Sequence, residues 1–164
     1  MNAPSAWVVR WAPLIAKGTV LDLACGSGRH AKFFLGRNLS VVAVDREAQD
    51  IPGARFIQAD LENGSPWPLP GERFEGIVVV NYLHRPLFPT LLESLAPGGV
   101  LIYETFMIGN EKYGRPSNPA FLLRPGELRA AFGELAEKGF EEGAVTDPKP
   151  AMIQRLCAVR AGKG

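Results

Sequence analysis

Cysteine is almost missing from this chain: Cys25 and Cys157 are the two in 164 residues. They lie far apart and form no metal-ligand pattern, so neither a disulfide framework nor a metal site is expected, and two free thiols suit a reducing compartment. No apolar run approaches the length needed to span a bilayer. Met1 to Lys17 holds Trp7, Arg10 and Trp11 but no basic stretch followed by an apolar core, so no signal peptide is expected. An excess of one charge is lacking too. Lys and Arg number 18 against 17 Asp and Glu, a net charge of +1 without a long basic run, which leaves no electrostatic footprint for nucleic acid. Internal repeats and low-complexity segments are absent. With 46% hydrophobic and 21% charged residues, what remains is a globular protein. The length fits one domain over residues 1–164, with no membrane partner and a cytoplasmic location as the default.

The most informative stretch present is Thr19 to Ala31. Val20 to Leu23 reads as a buried parallel strand interrupted by Asp22. It enters a turn in which Gly26 and Gly28 permit dihedrals and close approaches that a Cβ blocks. Arg29 to Gly36 then reads as a helix whose N-terminal N–H groups face whatever sits on the turn. This is a candidate cofactor site.

Along the rest of the chain, Ser5 to Ala16 reads as a helix capped by Ser5 and bent or ended by Pro13. Ser40 to Val44 is a second strand ending at Asp45, and Ala54 to Gln58 a third, ending before Asp60. The intervening Asp45 to Gly53 leaves room for about one helical turn, against a usual crossover of about a dozen residues. Asn63 to Arg73, with Pro66, Pro68 and Pro70, is expected to be extended coil. Phe74 to Val80 is the strongest strand signal, followed by a helix over Pro86 to Leu95. A Pro97-Gly98-Gly99 turn leads into a strand over Val100 to Glu104. Thr105 to Arg124 reads as a loop of about twenty residues, long enough to be a lid. A helix opening at Pro125-Gly126-Glu127 and running through Lys138 comes next, then a strand pair over Gly139 to Val145 and Ile153 to Arg160. Alternating strands and crossovers with a late β pair predict an α/β fold: a doubly wound, mostly parallel sheet with a C-terminal antiparallel pair.

Ligands of such sheets bind at the carboxyl ends of the strands, here Cys25 to Gly28, Asp45, Asp60, Asn81 to His84 and Glu104. Asp45 lies about twenty residues past the glycine turn, where a carboxylate accepts from ribose hydroxyls, or else caps a helix. Asp60 with Leu61 suits an adenine, the carboxylate accepting from the exocyclic amine, or else is a turn aspartate. A buried Asp22 is costly unless paired; it either orders the glycine turn through backbone N–H groups or reaches a ligand ammonium.

Together these residues resemble the class I S-adenosylmethionine-dependent methyltransferases over essentially the whole chain. Val20 to Gly28 is similar to that family's glycine-rich motif, Val41 to Asp45 to its second motif, and Ala59-Asp60-Leu61 to its third. Phe74 to Asn81 is similar to the fourth, and Leu95 to Leu101 to the Pro-Gly-Gly element before the fifth strand. The resemblance implies a Rossmann-like methyltransferase fold, S-adenosylmethionine as cofactor and methyl transfer by in-line displacement. It implies that Asp22, Ala24, Cys25, Gly26, Ser27 and Gly28 surround the methionine part and ribose. Asp45, with Arg46 beside it, would bind the ribose hydroxyls, Asp60 and Leu61 the adenine, and Asn81 would face the methyl region. Two departures stand out: Ala24 replaces a glycine common in the family, and the crossover after Asp45 is short. A relaxed dinucleotide fingerprint over Gly26 to Ala31 also admits NAD, but leaves Asp22, Asp60-Leu61 and Pro97-Gly98-Gly99 unexplained.

On the acceptor side, Tyr82 and His84 are the candidate catalytic residues, with Glu104 a further base or orienter; His84 suits a proton acceptor near neutral pH. Asn81 to His84 is similar to the Asn-Pro-Pro-Tyr element of some amine methyltransferases but lacks both prolines. Tyr113 and Arg115, in the loop after Glu104, are expected to close over the acceptor. The size and Gly28-Arg29-His30 are similar to small bacterial methyltransferases of the tellurite-resistance type, which points to a small-molecule acceptor. A non-catalytic cofactor-binding subunit, or a methyltransferase acting on RNA or protein, are the alternatives.

Overall fold

The computed structural model describes residues 3–162, so Met1 and Asn2, part of the stretch read for a leader, lie outside the described residues. Five parallel strands form the centre: β1 Thr19–Leu23, β2 Ser40–Asp45, β3 Arg55–Gln58, β4 Phe74–Val80 and β5 Leu95–Phe106. Two antiparallel strands, β6 Ala136–Val145 and β7 Ala151–Val159, complete a sheet of order β3-β2-β1-β4-β5-β7-β6. This is the doubly wound, mostly parallel sheet with a C-terminal antiparallel pair that the strand pattern predicts.

Alternation along each strand divides the core between two faces. Val20, Val41, Val78, Val100 and Ile102 pack with Trp7, Ala31 and Phe34 from α1 Ala6–Trp11 and α2 Arg29–Leu35. Leu21, Val42, Ile77, Leu101 and Tyr103 pack on the opposite face with Leu91 of α3 Phe88–Glu93 and Leu128 of α4 Glu127–Ala131. Ser5 caps α1 by accepting from the Trp7 and Val8 amides, and Pro13 sits in a 3-10 turn over Ala12–Leu14 that ends it. The crossover from β2 to β3 carries no helix, and residues 59–73 are irregular. There the fully buried Leu69 and half-buried Trp67 cover the face a crossover helix would cover.

Three local expectations are corrected. The Pro97-Gly98-Gly99 turn is a bulge within β5: Phe74 pairs with Leu95 and Gly76 with Val100, so the three extra residues loop out while pairing resumes on both sides. The helix expected through Lys138 stops at Ala131. Leu128, Phe132 and Leu135 keep a helical spacing and are buried, but Ala136 onward is captured by β7, with Ala136 opposite Val159. Part of the helix expected over Pro86 to Leu95 is a 3-10 turn at Arg85–Leu87, and Leu95 already belongs to β5. Among the described residues no helix is long and apolar enough to cross a membrane.

Candidate active site

On the α1/α2 face, each central strand turns from apolar to polar toward the same end of the sheet. Val20 is followed by Asp22 on β1 and Ile102 by Glu104 on β5, while antiparallel β7 places Arg155 two residues before Cys157. The N-terminal ends of α1 and α2 meet above these residues. Between them lies a cavity of about 840 Å³, within the range of roughly 300–1,000 Å³ usual for small-molecule sites. Its walls are the strap Ala3 to Ala6, Asp22, Ala24 to Ser27, Arg29, His30, Val80, Asn81, Glu104, Phe106, and the β6–β7 end including Asp147, Lys149 and Arg155.

The glycine turn is held from behind. Cys25 N–H donates to Val44 O (2.9 Å), Gly28 N–H to Cys25 O (3.0 Å), and Gly26 N–H to Asp45 Oδ1 (3.1 Å). Gly28 has φ +89° and a Cβ there would stand 2.7 Å from Ile51 Cδ1, so it meets both a conformational and a steric requirement. Gly26, at φ +53°, has nothing within 4 Å of a Cβ position. Ala24 takes a left-handed φ of 54°, where a glycine would be unstrained.

Asp22 is 2% exposed. Its Oδ2 accepts from Ala31 N–H at 3.0 Å, and among the described residues Oδ1 has no hydrogen-bond partner. Burial pushes its carboxyl up to about 7, against the opposing pull of the Ala31 amide and Arg29. Burial, then the nearby Asp22, pushes the Cys25 thiol up to about 12. His30 is 4% exposed, and burial followed by Arg29 lowers it to about 4, so the ring is neutral. Its Nε2 accepts from Ser5 N–H at 3.0 Å, and Ser5 Oγ–H donates to Glu104 Oε1 at 2.9 Å. Glu104 Oε2 accepts from Arg155 Nε, and Arg155 Nη1 donates to Glu141 Oε1 at 3.2 Å. Glu104, Arg155 and Glu141 are register partners on β5, β7 and β6, so the three form a charge ladder across the sheet.

Of the residues singled out from sequence, the cavity gathers Asp22, Ala24, Cys25, Gly26, Ser27, Asn81 and Glu104. Asp45 stands behind the turn, its Oδ2 also accepting from Glu47 N–H at 3.0 Å. Arg46 is exposed, 3.7 Å from Glu47, and its carbonyl accepts from Gln58 Nε2. Asp60 Oδ1 accepts from Glu62 N–H at 2.8 Å, and half-buried Leu61 packs on the core. Tyr82 and His84 are not among the residues lining the cavity. Tyr82 Oη–H donates to Glu62 Oε2 at 3.0 Å, and His84 Nδ1 lies 3.8 Å from Glu62 Oε1. Burial and this Glu62 contact push the Tyr82 phenol upward. Tyr113 and Arg115 are also absent from the cavity wall. Their loop is pinned elsewhere: Asn110 accepts from Met152 N–H and donates to Pro116 O, and Ile108 N–H donates to Leu123 O.

Sequence reasoning missed the strap Ala3 to Ala6, His30, Arg155 and the Asp147–Lys149 turn. Ser5 was legible as a cap, but its second role depends on α2 and β5, far away in sequence. Arg155 reaches Glu104 through strand pairing, for which no local signal exists.

The parallel sheet with its reversed C-terminal pair, the glycine turn after β1 and the acid ending β2 make up the fold of the class I S-adenosylmethionine-dependent methyltransferases, and the chain has that fold. By sequence, the chain is 31% identical to the trans-aconitate 2-methyltransferase of Delftia acidovorans, over 87% of this chain and 65% of that protein. It is 33% identical to the enzyme of the same name from Methylobacterium nodulans, over 60% of this chain and 42% of that one. The chain thus spans 42–65% of the length of these curated relatives. No family model matches the chain. TehB from Haemophilus influenzae superimposes with a TM-score of 0.77 at 17% identity, over 98% of this chain and 63% of that one. The 1,6-didemethyltoxoflavin-N1-methyltransferase of Burkholderia thailandensis, solved with its namesake substrate and S-adenosylhomocysteine, gives 0.66 at 22% identity over 95% and 76%. Both structural likenesses concern the fold.

Proposed function

We propose that this chain, as a single domain working in the cytoplasm, transfers the methyl group of S-adenosylmethionine to a small-molecule acceptor. The observation that carries this reading is the continuity of one cavity from the glycine turn to the ends of β4 and β5 at Asn81 and Glu104. Two features fit the cofactor: the open space against Gly26, and a buried Asp22 with one carboxylate oxygen unpartnered on the cavity wall. Asp22 and the Ala24 to Gly28 backbone would hold the methionine part and ribose. Asp45 and Arg46 would hold the ribose hydroxyls, Asp60 and Leu61 the adenine, and Asn81 the region of the methyl. When bound, the cofactor supplies an electrophilic methyl group on a sulfonium.

The chain's own contribution is alignment and exclusion of water. The strap and the β6–β7 turn enclose the acceptor end of the cavity. Glu104 has both oxygens engaged, which fixes it as an orienting group. Tyr82 and His84, turned to Glu62, support the donor end in this reading rather than the acceptor. Arg29 and Lys149 line the cavity without a carboxylate partner among the described residues, which suits an anionic acceptor. Trans-aconitate, named for the relatives, is therefore the first acceptor to assay.

The test is incubation of the purified chain with S-adenosylmethionine and a panel of small acids, phenols and amines, headed by trans-aconitate. Release of S-adenosylhomocysteine with at least one acceptor is expected. Binding without turnover across the panel would favour a cofactor-binding subunit instead, and tighter binding of NADH than of S-adenosylhomocysteine would overturn the cofactor.

A further inference from the structure

Three side chains of the cavity wall reach the strap Ala3 to Ala6. Arg29 Nη1 donates to Ala3 O at 3.0 Å, His30 Nε2 accepts from Ser5 N–H, and Glu104 Oε1 accepts from Ser5 Oγ–H. Two of the three end on Ser5, itself 8% exposed. The same Oγ also caps α1, so one residue joins the start of α1 to α2 and to the far end of β5.

Each Ser5 contact fixes a choice its partner otherwise leaves open. A neutral imidazole carries its proton on one nitrogen, and the hydrogen bond at the other decides which. Because Nε2 accepts, the proton resides on Nδ1. Glu104, between Ser5 and Arg155, has one oxygen assigned to each. We propose that Ser5 is a positioning residue of this cavity: its amide sets the His30 tautomer, its hydroxyl sets the Glu104 carboxylate in its pair with Arg155, and the two contacts together hold the strap as a cavity wall. The two contacts are coupled, because both require the same placement of one residue. Loss of the hydroxyl bond releases the amide bond as well. With both contacts in place, His30 presents Nδ1–H as the one ring donor of a side chain that lines the cavity.

This inference rests on the cofactor reading of the cavity, and its test separates the two. Ser5→Thr keeps cap and hydroxyl donor. Ser5→Asp keeps a capping oxygen but has no proton to give and sets a like charge against Glu104. His30 and His84 are the two histidines of the chain, so a nitrogen-15 spectrum of the imidazoles in the full chain, with His84→Asn for assignment, reads His30 directly. A single Nδ1–H tautomer is expected in wild type and Ser5→Thr, and a tautomer mixture in Ser5→Asp. By calorimetry, S-adenosylhomocysteine should bind Ser5→Thr within about twofold of wild type and Ser5→Asp about tenfold or more weakly. Far-UV circular dichroism should stay unchanged in both, because each residue caps the helix. An Nε2–H tautomer in wild type, or a Ser5→Asp spectrum identical to wild type, overturns the assignment. Wild-type affinity in Ser5→Asp overturns the link to the cavity. Failure of wild type to bind S-adenosylhomocysteine sinks the cofactor reading alone, and the spectra still decide Ser5.

Discussion

Asp45 Oδ1 accepts the Gly26 amide at 3.1 Å, across two strands that are neighbours in the sheet. The acid that closes β2 is thus a strut for the turn that closes β1, as well as a candidate ligand for ribose. Asp45→Ala removes strut and ligand together, so S-adenosylhomocysteine affinity should fall about tenfold or more, one charged hydrogen bond being worth about 1.5–3 kcal/mol. Titration calorimetry measures it; unchanged affinity would remove Asp45 from the site.

The two glycines of the turn should respond differently to alanine. At Gly28 a Cβ meets Ile51 at 2.7 Å in addition to an unfavourable φ, whereas at Gly26 there is open space. Gly28→Ala is expected to destabilise by about 2–4 kcal/mol and Gly26→Ala by about 1–2 kcal/mol, from left-handed strain alone. Combined with Ile51→Ala, itself costly because Ile51 is buried, Gly28→Ala should cost less than the sum of the two single losses. Equal melting temperatures for the two glycine variants would refute the distinction.

How far the sequence carried depends on the distance over which each feature is decided. The glycine turn, the strand centres and the acids at their ends are local patterns and fall where the pattern places them, while β5 and β6 begin earlier, at Leu95 and Ala136, because pairing with neighbouring strands extends them. The helix expected through Lys138 fails because strand pairing with β7 outweighs the period of Leu128, Phe132 and Leu135. The lid expected around Tyr113 fails for a similar reason: Asn110 anchors that loop to Met152 on β7. Ser5, His30 and Arg155 acquire their roles through contacts between elements far apart in the chain.

Two buried groups make opposite contributions to stability as pH changes. Asp22 has its folded value raised to about 7, so the folded state binds more protons than the unfolded state between about pH 4 and 7. Stability from this group is greatest at low pH and declines as pH rises through that window. His30 is lowered to about 4, so the unfolded state binds more protons between about pH 4 and 6.5 and stability rises with pH there. The two slopes oppose each other in wild type. Relative to wild type, Asp22→Asn should show the steeper rise from pH 4 to 6.5, and His30→Gln the steeper decline. Urea unfolding across pH 4 to 8 reads both, and parallel curves for all three proteins would contradict the burial of either group.

The Glu104–Arg155 pair has side chains 11% and 19% exposed. Arg155→Met leaves Glu104 buried with only Ser5 as partner, and a loss of about 3–5 kcal/mol is expected. Adding Glu104→Gln, which removes the stranded charge but keeps an acceptor for Ser5, should restore most of it. The melting temperatures of the single and double variants form the check; a double variant no better than Arg155→Met would rule out the stranded charge as the cause.

The sheet's outer strands carry a further consequence. One edge, β3, is four residues long. The other, β6, is ten residues long and largely exposed, but it carries Glu137, Lys138, Glu141 and Glu142, with Glu137 and Glu141 paired to Arg129 and Arg10. An open row of strand amides invites a second chain to add itself unless it is short or charged. One end of this sheet is guarded by brevity and the other by charge. Neutralising Glu141 would therefore do two kinds of damage at once: it would loosen Arg155 at the cavity and unguard the edge against self-association.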